Sequence, residues 1–329
     1  MFSKDIGIDL GTANVVVYIK GQGIVLNEPS VVAIDENSKK VLAVGNDASI
    51  MLGRTPGEIK AIKPMRDGVI ADFDVTEIML NNFINKAKGR GLLSKPRILI
   101  CCPSNITTVE KNAIKEAALR MGAKKVFLEE EPKVAAIGSG LDISKPSGCM
   151  VVDIGGGTTD IAVLSLGGIV NSKSVRIAGN TFDNDIIKYV KENHKLLIGE
   201  RTAEDIKKEL GVVYKGDKKN SMEIKGRDYL TGLPATKIID EEEIEAALTN
   251  NIMEIIREIK NVLETTLPEL SADIVDKGIM ITGGGSLLKG IEDLLKKELK
   301  VPIMLSANPL TSVAEGTGIM LNNINLIDR

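Results

Sequence analysis

Apolar residues along this chain switch between two periods. Ile6, Ile8 and Leu10 alternate with polar or small residues, the pattern of a strand. Asp9-Leu10-Gly11-Thr12-Ala13-Asn14 reads as a tight turn, Val15 to Ile19 as the returning strand, and Gly21-Gln22-Gly23 as the next turn. Met150 to Val152 is a short apolar run, the mark of a buried strand, and it delivers Asp153 to its C-terminal end. Further strands are expected at 42–45, 98–101, 126–128, 277–282 and 301–305. Helical spacing places Met79, Phe83, Ile84 and Ala87 on one face of a helix capped by Asp74 or Thr76. Thr107 and Glu110 form a capping box for a helix with Val109, Ala113, Ile114, Ala117 and Met121 inside, ended by Gly122. Helices are also expected over 183–190, from Arg201 with Thr202 and Asp205 at capping-box spacing, from Gly290, and over 312–321. The longest runs from Asp240 to Thr266 and is closed by Pro268. Its buried stripe is Ile244, Leu248, Ile252, Ile255, Ile256, Ile259 and Leu263. Segments 33–73 and 215–237 read as small insertions of strands and turns.

The candidate chemistry sits at strand ends. Gly155, Gly156 and Gly157 follow the central strand, then Thr158, Thr159 and Asp160. Glycines after a strand let backbone N–H groups close on a ligand, and threonine hydroxyls add donors. An aspartate beside phosphate is repelled unless a cation lies between them, so the stretch asks for a nucleotide with a hard divalent ion. A lone triple glycine is better read as a flexible hairpin turn. What overturns that reading is a second copy: Asp9 matches Asp153, Gly11 matches Gly155 and Gly23 matches Gly167, all at an interval of 144 residues. One long-range duplication implies two similar domains facing each other, whose hairpins clamp a polyphosphate and metal from both sides. A further triple glycine, Gly283 to Gly285, ends the strand at 277–282. Glu129, Glu130 and Glu131 precede Pro132, where acids suit a helix dipole. Three exceed what a cap needs, and one carboxylate at a strand end could orient water for attack on a phosphate. Glu204 and Lys207 project from one side of a helical turn, by default as a surface ion pair. Asp160 is assigned a structural role in its hairpin.

Composition narrows the classes. The 329 residues suffice for two domains with sizeable cores, and a net charge of −3 without tryptophan gives no case for nucleic acid. Cys101 and Cys102 are adjacent and Cys149 stands alone, which fits reduced thiols in the cytosol rather than a disulfide framework. A single histidine, His194, excludes histidine-based zinc sites. No signal peptide or run of transmembrane length occurs. Residues 86–97 hold five basic residues and no acid around Leu92-Leu93. They form either a connection with its leucines in the core or an apolar tip with a basic collar for an anionic membrane. No GxxxxGK[ST] occurs, and Asp160 and Leu288 stand where a dinucleotide fingerprint needs its third glycine.

DLGTAN at Asp9, DIGGGTTD at Asp153, EEPKVAAIGSG at Glu130, ITGGGSLL at Ile281 and AEGTG at Ala314 resemble the five motifs of the actin, Hsp70 and sugar-kinase superfamily. DIGIDLGTANVVVYIKGQGIVLNEPSVVAI, PMRDGVIADFDVTE, IGERTAEDIK and GRDYLTGLP resemble more closely the MreB/Mbl family of bacterial actins, over essentially the whole chain. The resemblance implies an α/β, actin-like ATPase fold of two lobes, each a ribonuclease-H-like mixed sheet with a smaller insertion, and nucleotide in the cleft. Lobe I would be 1–143 with 311–329 (insertion 33–73), and lobe II 144–310 (insertion 183–239). It implies that Thr12, Ala13, Asn14, Gly155, Gly156, Gly157 and Thr158 contact phosphates, and that Asp9 and Asp153 hold Mg²⁺ through water. Glu131 with Thr158 would position the hydrolytic water. Glu204, Asp205, Ile206 and Lys207 would meet ribose or base, and Gly284, Gly285, Ser286 and Leu287 would line the adenosine pocket. It places Leu92 and Leu93 in a membrane-contacting loop. The implied activity is weak ATP hydrolysis coupled to filament dynamics. Subunits would form paired protofilaments in the cytoplasm, on the inner face of the cell membrane, working with the wall-elongation machinery to set cell shape. A chaperone of the superfamily would need a peptide-binding domain, and a small-molecule kinase a base facing a substrate pocket.

Overall fold

A computed structural model describes residues 5–88, 95–104, 106–214 and 220–322 of the chain. β1 (Ile6–Leu10), β2 (Asn14–Ile19) and β3 (Gly23–Pro29) form an antiparallel meander. A small sheet follows, built from β4 (Val32–Asp35), β5 (Val41–Val44) and, after the one-turn helix α1 (Asn46–Ser49), β6 (Ile59–Ile62). The hairpin of β7 (Met65–Arg66) and β8 (Val69–Ile70) leads into α2 (Phe73–Lys88). Next come β9 (Arg97–Cys102), α3 (Thr108–Arg120), β10 (Lys125–Glu130) and α4 (Glu131–Gly138). β9 pairs parallel with β1 and β10 parallel with β9, giving a five-stranded sheet of order β10-β9-β1-β2-β3.

The second half repeats the plan. β11 (Cys149–Ile154), β12 (Thr159–Ser165) and β13 (Gly168–Val175) form another antiparallel meander. α5 (Gly179–His194), β14 (Leu196–Leu197), α6 (Glu200–Leu210), β15 (Ser221–Asp228) and β16 (Pro234–Asp240) make an insertion with its own three-stranded sheet. α7 (Glu241–Glu264) and α8 (Pro268–Lys277) lead to β17 (Ile279–Thr282), a 3₁₀ turn at Gly284–Leu287, α9 (Ile291–Leu299), β18 (Ile303–Leu305) and α10 (Ser312–Asn322). β17 pairs parallel with β11 and β18 with β17, so the order is β13-β12-β11-β17-β18. β1 and β11 therefore hold equivalent central places, which is the structural content of the 144-residue repeat.

Strand alternation sends the side chains of β11 to two cores. Met150, Val152 and Ile154 pack with Phe182 of α5, Ile206 of α6 and the Ile244-to-Ile259 stripe of α7. Cys149 and Val151 face the other way, into a cluster shared with Leu99 and Cys101 of β9, Val134 to Ala136 of α4, and Val313 and Leu321 of α10. That second cluster draws on both large sheets, so α4 and α10 hold the lobes together. The two helices approach so closely that a Cβ on Gly316 would land on the Val134 carbonyl, and one on Gly138 on the Ser312 carbonyl. Gly316→Ala is expected to destabilise the protein by about 1–3 kcal/mol through overpacking. A melting temperature equal to that of the unaltered protein would show that this close approach is not what requires glycine.

Several local expectations are corrected. α2 starts at Phe73 because Asp72 is the cap: its carboxylate accepts the Val75 N–H at 3.1 Å, while Thr76 is buried and donates to the Asp72 carbonyl. The Thr107–Glu110 capping box forms, yet Val109 is 77% exposed, because α3 buries only the face of Ile114, Ala117 and Ala118. Thr202 caps nothing, since α6 opens earlier at Glu200 behind Gly199. Pro268 begins α8, where its missing N–H costs nothing in the first turn, instead of merely closing α7. α5 starts at Gly179, four residues before Asp183, for a reason found at the site below.

Candidate functional site

The C-terminal ends of β1 and β11 carry Asp9 and Asp153, and the hairpin turns that follow them meet between the lobes. A Cβ on Gly156 would lie 2.5 Å from the Ala13 Cβ, and one on Gly157 2.6 Å from the Thr12 Oγ1. Only glycine allows this approach. The first turn is braced from outside, with the Ser30 hydroxyl donating to the Gly11 carbonyl at 2.7 Å and the Ser30 N–H to Ala13 at 2.8 Å. The second closes on itself through the Gly155 N–H and the Thr158 carbonyl at 2.9 Å. α5 then docks on that turn: the Gly179 N–H donates to the Gly155 carbonyl at 3.1 Å and the Asn180 N–H to Gly156 at 2.8 Å. Those contacts set where α5 starts and aim its positive dipole end at the glycine turn. Gly283, at φ 81°, abuts the Asp153 carboxylate, so the last triple glycine buttresses the end of β11.

Four acids gather where the turns meet. Asp153 faces Asp160 across the β11–β12 ladder. Burial, then the charges of Asp160 and Asp9, push Asp153 up to about 8, and burial pushes Asp9 up to about 7. Asp160 is raised by burial, and its Oδ1 has no protein partner. Glu131, at the start of α4, is raised well above the carboxylate range by burial first, then by Asp160, Asp9 and Asp153. Its neighbours are otherwise engaged: Glu129 pairs with Lys133 at 3.1 Å and Glu130 with Lys111 at 3.9 Å. Of the three consecutive glutamates, Glu131 is thus the one that feels the acid cluster.

Among the described residues, no three His, Cys, Asp or Glu side chains converge to hold a metal ion unaided. A cation at Asp9 and Asp153 would take few protein oxygens and fill its shell with water or ligand oxygens, which is the habit of Mg²⁺. The donor set fits: all carboxylate and hydroxyl oxygen, with buried negative charge left uncompensated. Cys101 lies beside Asp9 in the β1–β9 register, but burial pushes its thiol well up, so it offers no thiolate to a softer metal.

The remaining expected residues are distributed unevenly. Thr12 and Thr158 are buried at the junction of the turns, while Ala13 and Asn14 are exposed beside it. Glu204 and Lys207 do not pair with each other. Glu204 meets Lys208 at 2.7 Å, and Lys207 meets Asp183 at 2.8 Å and the Gly179 carbonyl at 2.9 Å. Lys207 is thereby tied to the first turn of α5, next to the glycine turn. Asp205 is exposed, whereas the Ile206 side chain is fully buried in the lobe core and turned away from any cleft ligand. Within the 3₁₀ turn, Gly284 and Leu287 are exposed, Gly285 packs on Ile154, and Ser286 is buried with its hydroxyl on the Gly283 carbonyl at 2.7 Å. Leu92 and Leu93 lie outside the described residues. Gly179, Asp183 and Gly68 join the site without having been singled out. Their only local signals were a glycine just before a predicted helix and an Asp-Gly turn.

Duplicated mixed sheets, each with an insertion and an acid-tipped glycine turn facing the other, define an actin-like protein. The fold matches MreB5 of Spiroplasma citri bound to AMPPNP at a TM-score of 0.94, with 41% identity over 99% of this chain and 98% of that one. The MamK double helical filament matches at 0.83 and 22% identity, over 98% of this chain and 99% of that one. The chain belongs to the MreB/Mbl family, whose model, described as MreB/Mbl protein, matches residues 3–329. It is 61% identical to the cell shape-determining protein Mbl of Bacillus cereus, over 100% of this chain and 99% of the relative. Identity to the cell shape-determining protein MreB of Escherichia coli is 51%, over 99% and 95%. Among the described residues no helix is long and apolar enough to cross a membrane.

Proposed function

We propose that this protein binds and slowly hydrolyses ATP, and polymerises into paired, membrane-associated filaments that set cell shape by organising wall synthesis. The observation that carries the catalytic part is the meeting of two acid-tipped glycine turns, with Gly156 and Gly157 against Ala13 and Thr12 and with Glu131 beside them. Structures of a family member bound to AMPPNP and to ADP, both at 41% identity, support the choice of nucleotide. Thr12, Ala13, Asn14 and the turn from Gly155 to Thr158 take the phosphates through backbone N–H groups and hydroxyls. Through water, Asp9 and Asp153 would hold Mg²⁺, which would supply positive charge to offset that of the phosphate oxygens. Glu131 takes a proton from the attacking water, and Thr158 fixes that water in line with the terminal phosphate. Glu204, Asp205 and Lys207 face the ribose and base, with Ile206 contributing only backbone. Gly284, Gly285, Ser286 and Leu287 flank the adenosine.

The cellular part rests on the family: relatives with full-length matches are named for determining cell shape. Leu92 and Leu93, within their basic collar, are the proposed contact with the inner face of the cell membrane. Sedimentation with ATP, with and without anionic liposomes and alongside phosphate release, tests the whole reading. Polymer pelleting with ATP and co-pelleting with liposomes are expected. Leu92→Ser with Leu93→Ser is expected to abolish liposome binding and spare polymerisation. Failure to pellet in every nucleotide state would count against filament formation, and liposome binding by the double variant would count against this contact.

A further inference from the structure

The hairpin of β7 and β8 reaches the site from the insertion of the first lobe. Its two-residue turn, Asp67-Gly68, has φ 49° and 72° at successive positions, the geometry of a type I′ hairpin that Asp-Gly favours. The Gly68 N–H donates to the Thr12 Oγ1 at 3.2 Å. A hydroxyl that accepts in this way keeps its own proton to give to another acceptor. On its other side Gly68 meets Thr158: a Cβ there would lie 2.5 Å from the Thr158 Cγ2, 3.4 Å from its Oγ1 and 3.5 Å from the Pro103 Cβ. Threonine is stiff at χ1, so whatever fills the space beside its methyl group decides where its hydroxyl sits. One turn therefore touches both phosphate-side hairpins, by a hydrogen bond to one and by steric contact with the other. The same insertion also reaches the second lobe, where Lys63 pairs with Glu200 of α6 at 2.9 Å.

We propose that the Asp67-Gly68 turn is a positioning element for hydrolysis, seating the Thr12 and Thr158 hydroxyls toward the nucleotide. The inference rests on the functional reading above and adds a third element to the two hairpins. Gly68 touches no reacting atom and acts through the two threonines.

The test compares Gly68→Ala in two backgrounds, the unaltered protein and Thr158→Ser, measuring ATP turnover, affinity for a fluorescent ATP analogue, and melting temperature. Serine keeps the hydroxyl but lacks the methyl that the new Cβ of Gly68→Ala would strike. Thr158→Ser sets its own baseline, and only the ratio within each background is read. Gly68→Ala is expected to lower kcat about tenfold or more in the unaltered background, with analogue affinity changed less than about threefold. In the Thr158→Ser background the same substitution is expected to cost less than about threefold, because the strain at positive φ persists but the collision is gone. Melting temperature should follow the same pattern, so a Gly68→Ala protein too unstable to assay is expected to recover its fold with Thr158→Ser. Equal losses in both backgrounds, or none in the first, would overturn the inference while leaving ATP hydrolysis by the unaltered protein intact. No ATP binding or turnover by the unaltered protein would remove the functional reading and this inference with it.

Discussion

Glu131→Ala is expected to slow phosphate release by about 10²-fold or more while leaving ATP affinity within about threefold of the unaltered protein. A positioned base contributes to the chemical step and little to ground-state binding, so the loss falls on kcat. Glu131 is singled out by what surrounds it. Glu129 and Glu130 pair with Lys133 and Lys111, whereas Glu131, half-buried at the start of α4, feels the charges of Asp160, Asp9 and Asp153. Burial first, and then the charges of those three acids, raises its carboxyl well above the ordinary carboxylate range. A carboxyl raised above its ordinary range is the stronger base once ionised. Single-turnover phosphate release and equilibrium nucleotide binding together check this. Turnover equal to that of the unaltered protein would take the role away from Glu131.

The second large effect joins stability to function. Asp153→Asn is expected to make the ligand-free protein more stable at pH 8 and to abolish Mg²⁺-dependent turnover. In the folded chain Asp153 titrates at about 8 instead of 3.8. A carboxyl raised on folding binds its proton more tightly in the native state, so native stability falls as pH rises from about 4 to about 8 and levels off above. Asp9, raised to about 7, adds a penalty of the same sign that is complete about a unit lower. Asparagine keeps the shape and never ionises. The gain is on the order of a few kcal/mol at pH 8 and vanishes near pH 4. Mg²⁺ should raise the melting temperature of the unaltered protein at pH 8 more than that of the variant, since it offsets the same charge. Melting curves from pH 4 to 8.5, in chelator and in Mg²⁺, supply the readout. A variant no more stable than its parent at pH 8 would mean that the acids at this junction are already compensated.

Much of this site was legible because its strongest constraints are local. Alternating apolar residues fix which face of a strand is buried, and an acid at the strand end followed by glycines is a pattern within a dozen positions. The interval of 144 residues exposed the second hairpin without any structure. Where the reading went astray, a local rule had two equally good candidates. Asp74 and Thr76 both suited the N-cap of α2, but it is Asp72 that accepts the Val75 N–H. Val109 fits the helical stripe of α3, but α3 buries so narrow a face that the first turn is left in solvent. Glu204 and Lys207 had the spacing of an ion pair, yet the buried Asp183 on α5 was a nearer partner for the lysine than any residue on its own helix.

Sequence alone determined the two acid-tipped glycine turns, the strands that present them and the family that carries them. Each is set by a short period or a backbone requirement that one stretch of chain satisfies by itself. Tertiary structure alone decided which of three glutamates faces the acids, why α5 begins on the glycine turn, and that Gly68 reaches Thr12 from 56 residues away. These are contacts between elements, fixed by sheet order and helix packing, and no local pattern of apolar and polar residues encodes them.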